Sequence, residues 1–247
     1  MDLSLIIPAF NESTKIENDI RAANDFFIAH RLKGEILIID DGSEDETLLK
    51  AQQAGDKVIT PVRVLRVEPQ RGKGFAVRTG MLASQSAFVM FADSGLCVPF
   101  IYALRGMQLI QSGKCDIAHG SRKLEESVIH RPQPWHRRII SRVMRLIFIY
   151  GLGIPRLSDT QCGFKIYRGE IAKTLYGSSR CNGFLFDIEI IVLAQQKGYR
   201  IAEFPLEWTA DLDSRLSAIK SFKKVLKELI RTHKVLKQIR KNNHVSE

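Results

Sequence analysis

Short continuous apolar runs alternate along the chain with longer stretches whose apolar residues recur every three or four positions. The first run is Leu3-Ser4-Leu5-Ile6-Ile7, followed by a helical pattern from Glu12 to about His30. Glu35-Ile36-Leu37-Ile38-Ile39 comes next, ahead of a helix opening at Ser43, where Glu46 completes a capping-box signature. Val62 to Val67 precedes a helix from about Lys73, and Phe88 to Ala92 precedes one beginning near Pro99. Strands that are apolar along their whole length must be covered on both faces. The pattern therefore predicts an α/β fold with a mostly parallel sheet flanked by helices. The second half is less regular. It offers a basic helical stretch from Arg137 to Tyr150, a strand from Gly163 to Tyr167, a helix near Phe186 to Lys197, and a strand from Arg200 to Trp208. A helical pattern resumes from Ser217 to about Lys241. One domain over residues 1–215 and a basic amphipathic helix and tail over 216–247 account for the whole chain.

Charge sharpens that division. The 247 residues carry a net charge of +10, and from Ser214 to Glu247 ten Lys and Arg face only Glu228 and Glu247. A second basic stretch, Ser127 to Ser158, holds Arg131, Arg137, Arg138, Arg142, Arg145 and Arg156 with no acidic residue. Such surfaces imply anionic partners: phosphate groups, a membrane face or nucleic acid. Without aromatic interleaving or a recognisable module, nucleic acid ranks last. In the tail, Ile219, Phe222, Leu226, Leu229, His233 and Leu236 alternate at spacings of three and four. That stripe suits an interfacial helix on anionic lipid, or a seam packed on the domain or on a second copy. The four cysteines show no metal-ligand spacing, and the start of the chain lacks a signal-peptide pattern, so a cytoplasmic protein with reduced thiols is expected. The longest apolar run, Leu146 to Ile154, falls short of the ~20 residues a membrane span requires, which leaves a peripheral place on a membrane as the expectation.

Candidate chemistry gathers where the strands end. Ile7-Pro8-Ala9-Phe10-Asn11-Glu12 closes the first strand, with Asn11 and Glu12 able to bond a ligand or the amides of the next helix. Asp40-Asp41-Gly42-Ser43 closes the second with adjacent carboxylates, suited either to a nucleoside base and ribose or to helix capping. Gln70-Arg71-Gly72-Lys73-Gly74 precedes a helix and offers a phosphate cradle, though without P-loop spacing. Phe88-Val89-Met90-Phe91-Ala92 ends on Asp93, a carboxylate at the edge of the sheet where α/β enzymes bind ligands.

Taken in order, Pro-Ala-Phe-Asn-Glu, Asp-Asp-Gly-Ser, Arg-Gly-Lys-Gly and Phe-Ala-Asp resemble the family 2 inverting glycosyltransferases of the GT-A fold. Asp159-Thr160-Gln161-Cys162-Gly163-Phe164-Lys165, then Phe186-Asp187-Ile188-Glu189 and Ser214-Arg215-Leu216, look like the dolichyl-phosphate glucosyltransferase and polyprenyl-phosphate hexosyltransferase branch. The resemblance implies a nucleotide-sugar donor held by Pro8, Ala9, Asn11, Glu12, Asp40, Asp41, Gly72, Lys73 and Asp93. It implies an acceptor phosphate met by Arg122, Arg131, Arg137, Gln161 and Lys165, and places Asp93, Asp159, Arg122 and Lys165 at the chemistry. It also implies Mg²⁺ or Mn²⁺ on Asp93, but Gly95 stands where the second acid of the Asp-x-Asp motif belongs. Cys97 and Asp213 are further departures, and no run within these 247 residues has the length and apolarity of the membrane helices many relatives carry.

Chemistry decides which losses such an enzyme tolerates. A polyprenyl phosphate is anionic near neutral pH, its second pKa being about 6, and needs little help from a base. The harder step is stabilising charge on the departing nucleoside diphosphate, which Arg122, Lys123 or Lys165 could do without metal. The expected activity is transfer of a hexose, glucose from UDP-glucose, to a polyprenyl phosphate with inversion. A soluble or glycan acceptor, with Asp159 as base, and a non-catalytic nucleotide-binding relative are the alternatives.

Overall fold

A computed structural model describes residues 1–131 and 157–210. Arg137 with its basic stretch, Asp213, and the helix expected over 216–247 lie outside the described residues. The chain runs β1 (Leu3–Ala9), α1 (Ile16–Ala29), β2 (Gly34–Asp40), α2 (Thr47–Gly55), β3 (Val62–Arg66), α3 (Lys73–Ala83), β4 (Phe88–Ala92), α4 (Tyr102–Gln111), β5 (Ile117–Ser121) and β6 (Val128–Arg131). It continues with β7 (Phe164–Arg168), α5 (Gly169–Ser178), α6 (Phe186–Gln196), β8 (Ile201–Pro205) and β9 (Glu207–Thr209).

Seven strands form one sheet in the order β3-β2-β1-β4-β7-β5-β8, and β6 pairs with β9 in a second, two-stranded sheet. All neighbours in the large sheet are parallel except β7, which runs antiparallel to both β4 and β5. The period of two sorts the strand residues between two cores. Leu3, Leu5 and Ile7 of β1, with Ile36 and Ile38 of β2, face the side covered by α1, α2 and α4. Ile6, Leu37, Ile39, Val89 and Phe91 face the side covered by α3, α5 and α6. Each such side chain contributes about 1.5–3 kcal/mol on leaving water, so the strand register is strongly specified.

Pro8 has a local consequence for the site. It does not stop β1, which stays paired with β2 through Ala9 and Asp40. On the other side the ladder to β4 ends earlier, at Ile6 and Phe91. A proline lacks the N–H a ladder needs, so β1 and β4 part at their carboxyl ends. The strand order reverses direction from β1 at this edge, which is where α/β sheets form the crevice that takes a ligand.

Three local expectations are corrected. The capping box at Ser43 and Glu46 does not form: α2 begins at Thr47, the side chain of its N-cap Glu46 makes no capping bond, and the Thr47 N–H donates instead to Asp45 Oδ1 at 3.0 Å. Ser43 is drawn elsewhere, its N–H to Asp40 Oδ1 (3.3 Å) and its Oγ to the N–H of Asn11 (2.8 Å). The helix expected near Pro99 begins at Tyr102. The run Arg200 to Trp208 is two strands, not one: β8 ends at Pro205, whose missing N–H closes the ladder, and β9 crosses to the other sheet.

Candidate active site

The β1–α1 and β2–α2 loops are joined to each other. Asn11 sits at φ 55°, and its Oδ1 accepts the N–H of Glu44 at 2.8 Å, while the Glu12 N–H donates to Thr47 Oγ1 at 2.7 Å. Asn11 therefore serves the neighbouring loop rather than the helix that follows it. Glu12 pairs with Lys15 at 3.2 Å.

Asp41 is buried and reaches across to the loop before α3. Its two oxygens accept the N–H groups of Arg71 (2.9 Å) and Gly72 (2.7 Å). Burial raises its carboxyl above the usual range, against the pull of those amides. Two amides of the expected phosphate cradle are thus taken by Asp41, so the two motifs form one structure. Asp40 is fully buried, and its Oδ2 lies 3.8 Å from Arg66. Gly72 has φ +107° and passes so close to the Asn182 carbonyl that a side chain there would collide. Gly74 is pressed in the same way against Phe186.

Lys73, the first residue of α3, and Asp93, just past β4, meet at the crevice with Nζ 2.5 Å from Oδ1. Burial would lower the Lys73 pKa, but the Asp93 and Asp187 carboxylates outweigh it and hold the ammonium above its ordinary value. Asp93 rests against Gly163, whose carbonyl accepts the Asp93 N–H at 3.0 Å. A methyl group at Gly163 would overlap the Asp93 carboxylate. Beyond Asp93 the backbone turns with Gly95 at φ +92° and Leu96 at φ +49°. Asp19 of α1, only 1% exposed, holds that turn: it accepts Ser94 Oγ–H (2.6 Å), the Gly95 N–H (2.9 Å) and the Leu96 N–H (3.2 Å).

Two further ion pairs lie nearby. Arg122 binds Asp159 in bidentate fashion, Nε to Oδ2 at 2.6 Å and Nη2 to Oδ1 at 2.9 Å. Its guanidinium lies over Trp208, 5.3 Å from the ring centroid. Burial alone would raise the Asp159 carboxyl, yet the guanidinium wins and holds it far below the usual range. Lys165 of β7 is 0% exposed, donates to the Thr160 carbonyl (3.1 Å) and meets Asp187 Oδ1 at 2.5 Å. Lys165 therefore sits beneath the crevice rather than on its surface. Gln161 is exposed, and Arg131 is the last residue of β6. A small recess joins Asp93, Cys97, Cys162, Gly163 and Trp208.

The structure brings Lys73, Asp93, Asp159, Arg122 and Lys165 to one end of the sheet. It adds Asp19, Asp187 and Trp208, which sequence reasoning did not assign. Asp19 carried a signal: it interrupts the apolar stripe Ile16, Ile20, Ala23, Phe27 of α1, where an acid is costly unless bonded. Among the described residues no grouping of three or more His, Cys, Asp or Glu is arranged to hold a metal ion, and no helix is long and apolar enough to cross a membrane.

The model of glycosyl transferase family 2 matches residues 4–175. The dolichyl-phosphate beta-glucosyltransferase of Dictyostelium discoideum is 31% identical over 239 residues, covering 93% of this chain and 73% of that protein. The enzyme of the same name from Saccharomyces cerevisiae is 30% identical over 246 residues, covering 92% and 73%. Among solved structures, glucosyl-3-phosphoglycerate synthase from Mycobacterium tuberculosis, in complex with Mn²⁺, UDP and glucosyl-3-phosphoglycerate, superposes with a TM-score of 0.70 at 20% identity, covering 94% of this chain and 79% of that one. That likeness is one of fold, and the same synthase has also been solved with Mg²⁺ and UDP.

Proposed function

The chain belongs to glycosyl transferase family 2, and from that premise we propose that it moves glucose from UDP-glucose to the phosphate of a polyprenyl phosphate, inverting the anomeric carbon. Relatives named for dolichyl-phosphate glucosylation support this choice of sugar and acceptor.

The observation that carries the reading is how the carboxylates at the site are used. Transfer to a sugar hydroxyl needs a general base, best with a pKa near the working pH. Asp159 is the candidate, but Arg122 occupies both its oxygens and holds it far below that range. Asp93 and Asp187 are each paired with a lysine. An acceptor phosphate needs no base. One of its oxygens attacks C1 of the sugar, the C1–O bond to the diphosphate breaks, and the electron pair leaves on UDP without any proton transfer. Lys73 and Arg122 stand where negative charge is brought in and released. Asp41 acts by fixing the loop that carries Lys73.

The rest of the assignment rests on sequence. Residues 1–215 form the catalytic unit. The 216–247 segment either packs on the domain through its apolar stripe or gives it a peripheral hold on the cytoplasmic face of an anionic membrane, where each Lys or Arg would contribute about 1 kcal/mol. Self-association through the same apolar stripe is a third use of that segment.

One observation favours a second reading, a non-catalytic nucleotide-binding relative: Gly95 removes the second acid of the motif. The test is a matrix of UDP-glucose, UDP-N-acetylglucosamine and GDP-mannose against a short polyprenyl phosphate and a soluble glycan. Product from UDP-glucose and the lipid phosphate alone is expected. Product on the glycan, or UDP binding with no product anywhere, would overturn the assignment.

A further inference from the structure

The fold neighbours bind UDP together with Mn²⁺ or Mg²⁺, but the residues around Asp93 do not suit a divalent ion. Magnesium takes near-octahedral oxygen ligands, usually one or two carboxylates plus phosphate and water. Asp93 Oδ1 already carries the Lys73 ammonium at 2.5 Å, in the place a metal on that oxygen would need. Position 95 has no side chain, and its N–H is turned back to Asp19. Its φ of +92° favours glycine and disfavours any other residue. Three other carboxylates are committed: Asp159 to Arg122, Asp187 to Lys165, and Asp41 to two backbone amides. Asp93 and Lys73 cancel in charge, so the pair by itself does not attract a cation.

We propose that Lys73, fixed by Asp93, does the work of the metal, so that the donor diphosphate binds and departs on a protein ammonium and UDP affinity is independent of divalent ions. The inference rests on the UDP-sugar reading above and deepens it. Three features converge on Lys73. It opens α3, where the backbone dipole adds positive character. The backbone beside it is fixed by Asp41 through Arg71 and Gly72. Its Nζ is fixed by Asp93 yet its side chain remains 24% exposed, so it can still donate toward the crevice. When the C1–O bond breaks, the electron pair arrives on a phosphate oxygen that a Lys73 N–H meets. The proton stays on nitrogen.

The test is calorimetric titration of UDP into the full chain, with chelator, Mn²⁺ or Mg²⁺ in turn. Affinities within about threefold of one another are expected. Lys73→Met should weaken UDP roughly thirtyfold or more, with no rescue by Mn²⁺. Lys73→Arg keeps the charge but moves it, and should fall between the two, which preserves a readout if the Met variant does not fold. Tightening by Mn²⁺ of tenfold or more, or an unchanged Lys73→Met, would overturn the proposal and leave the glucosyl-transfer reading intact. Failure of UDP to bind under every condition would overturn both.

Discussion

Replacing Asp19 by alanine tests whether the turn that presents Asp93 is held from α1. The carboxylate receives three donors, Ser94 Oγ–H, Gly95 N–H and Leu96 N–H, at 2.6 to 3.2 Å. Hydrogen bonds to a charged group contribute about 1.5–3 kcal/mol each, and donors left buried without a partner cost a similar amount. Two terms reduce the sum. Burial pushes the Asp19 carboxyl above its usual range, which takes back part of the gain, and the turn is partly exposed, so water can reach some donors. A net loss of about 2–4 kcal/mol is expected for Asp19→Ala, and about half that for Asp19→Asn, which keeps one acceptor oxygen. Urea unfolding gives the stability change. UDP titration should weaken in parallel, because Asp93 and its hold on Lys73 follow the turn. A loss below about 0.5 kcal/mol with unchanged UDP affinity would show that the turn stands without Asp19.

Other perturbations follow from the same geometry. Gly163→Ala must displace the Asp93 carboxylate, so donor affinity and turnover should fall at least about tenfold while urea stability drops by only about 1–3 kcal/mol; unaltered kinetics would show that Asp93 need not sit where it does. Arg122→Ala should destabilise by about 3–5 kcal/mol, since it strands the buried Asp159 charge, whereas Arg122→Ala combined with Asp159→Asn should recover much of that loss; equal losses in the single and double variants would deny the coupling. His119 of β5 is 1% exposed, and both its ring nitrogens lack hydrogen-bond partners. Burial and the neighbouring Lys165 hold its pKa well below 6.5, so the folded state keeps it neutral while the unfolded chain protonates. Stability is therefore full above that value and should decline by up to about 1.4 kcal/mol per pH unit as the pH falls below it, a slope that His119→Leu should flatten in urea titrations.

The sheet was legible where strands are apolar along their whole length: β1, β2 and β4 fall within two residues of their apolar runs. β5 was not, because Ile117-Ala118-His119-Gly120-Ser121 looks polar and loop-like, although every one of those residues is buried. Nothing in the composition of Phe164–Arg168 says that it runs antiparallel between β4 and β5. At the site, strand ends on Asp93 and the glycines beside Lys73 were readable because they mark where a chain leaves a sheet. The partners were not. Arg122 and Asp159 stand 37 positions apart, and Asp19 acts on Gly95 from 76 positions away, distances no local pattern encodes. For the same reason nothing around Asp41 foretold that its oxygens fasten the next loop through the Arg71 and Gly72 amides.

Inverting transfer to a lipid phosphate is read most directly from the stereochemistry of a single turnover. UDP-α-glucose and a short polyprenyl phosphate are mixed with excess enzyme, and the anomeric proton of the product is read by NMR. A β-linked glucosyl phosphate formed in step with UDP is expected. An α-linked product, free glucose alone, or bound donor that is never consumed would contradict it.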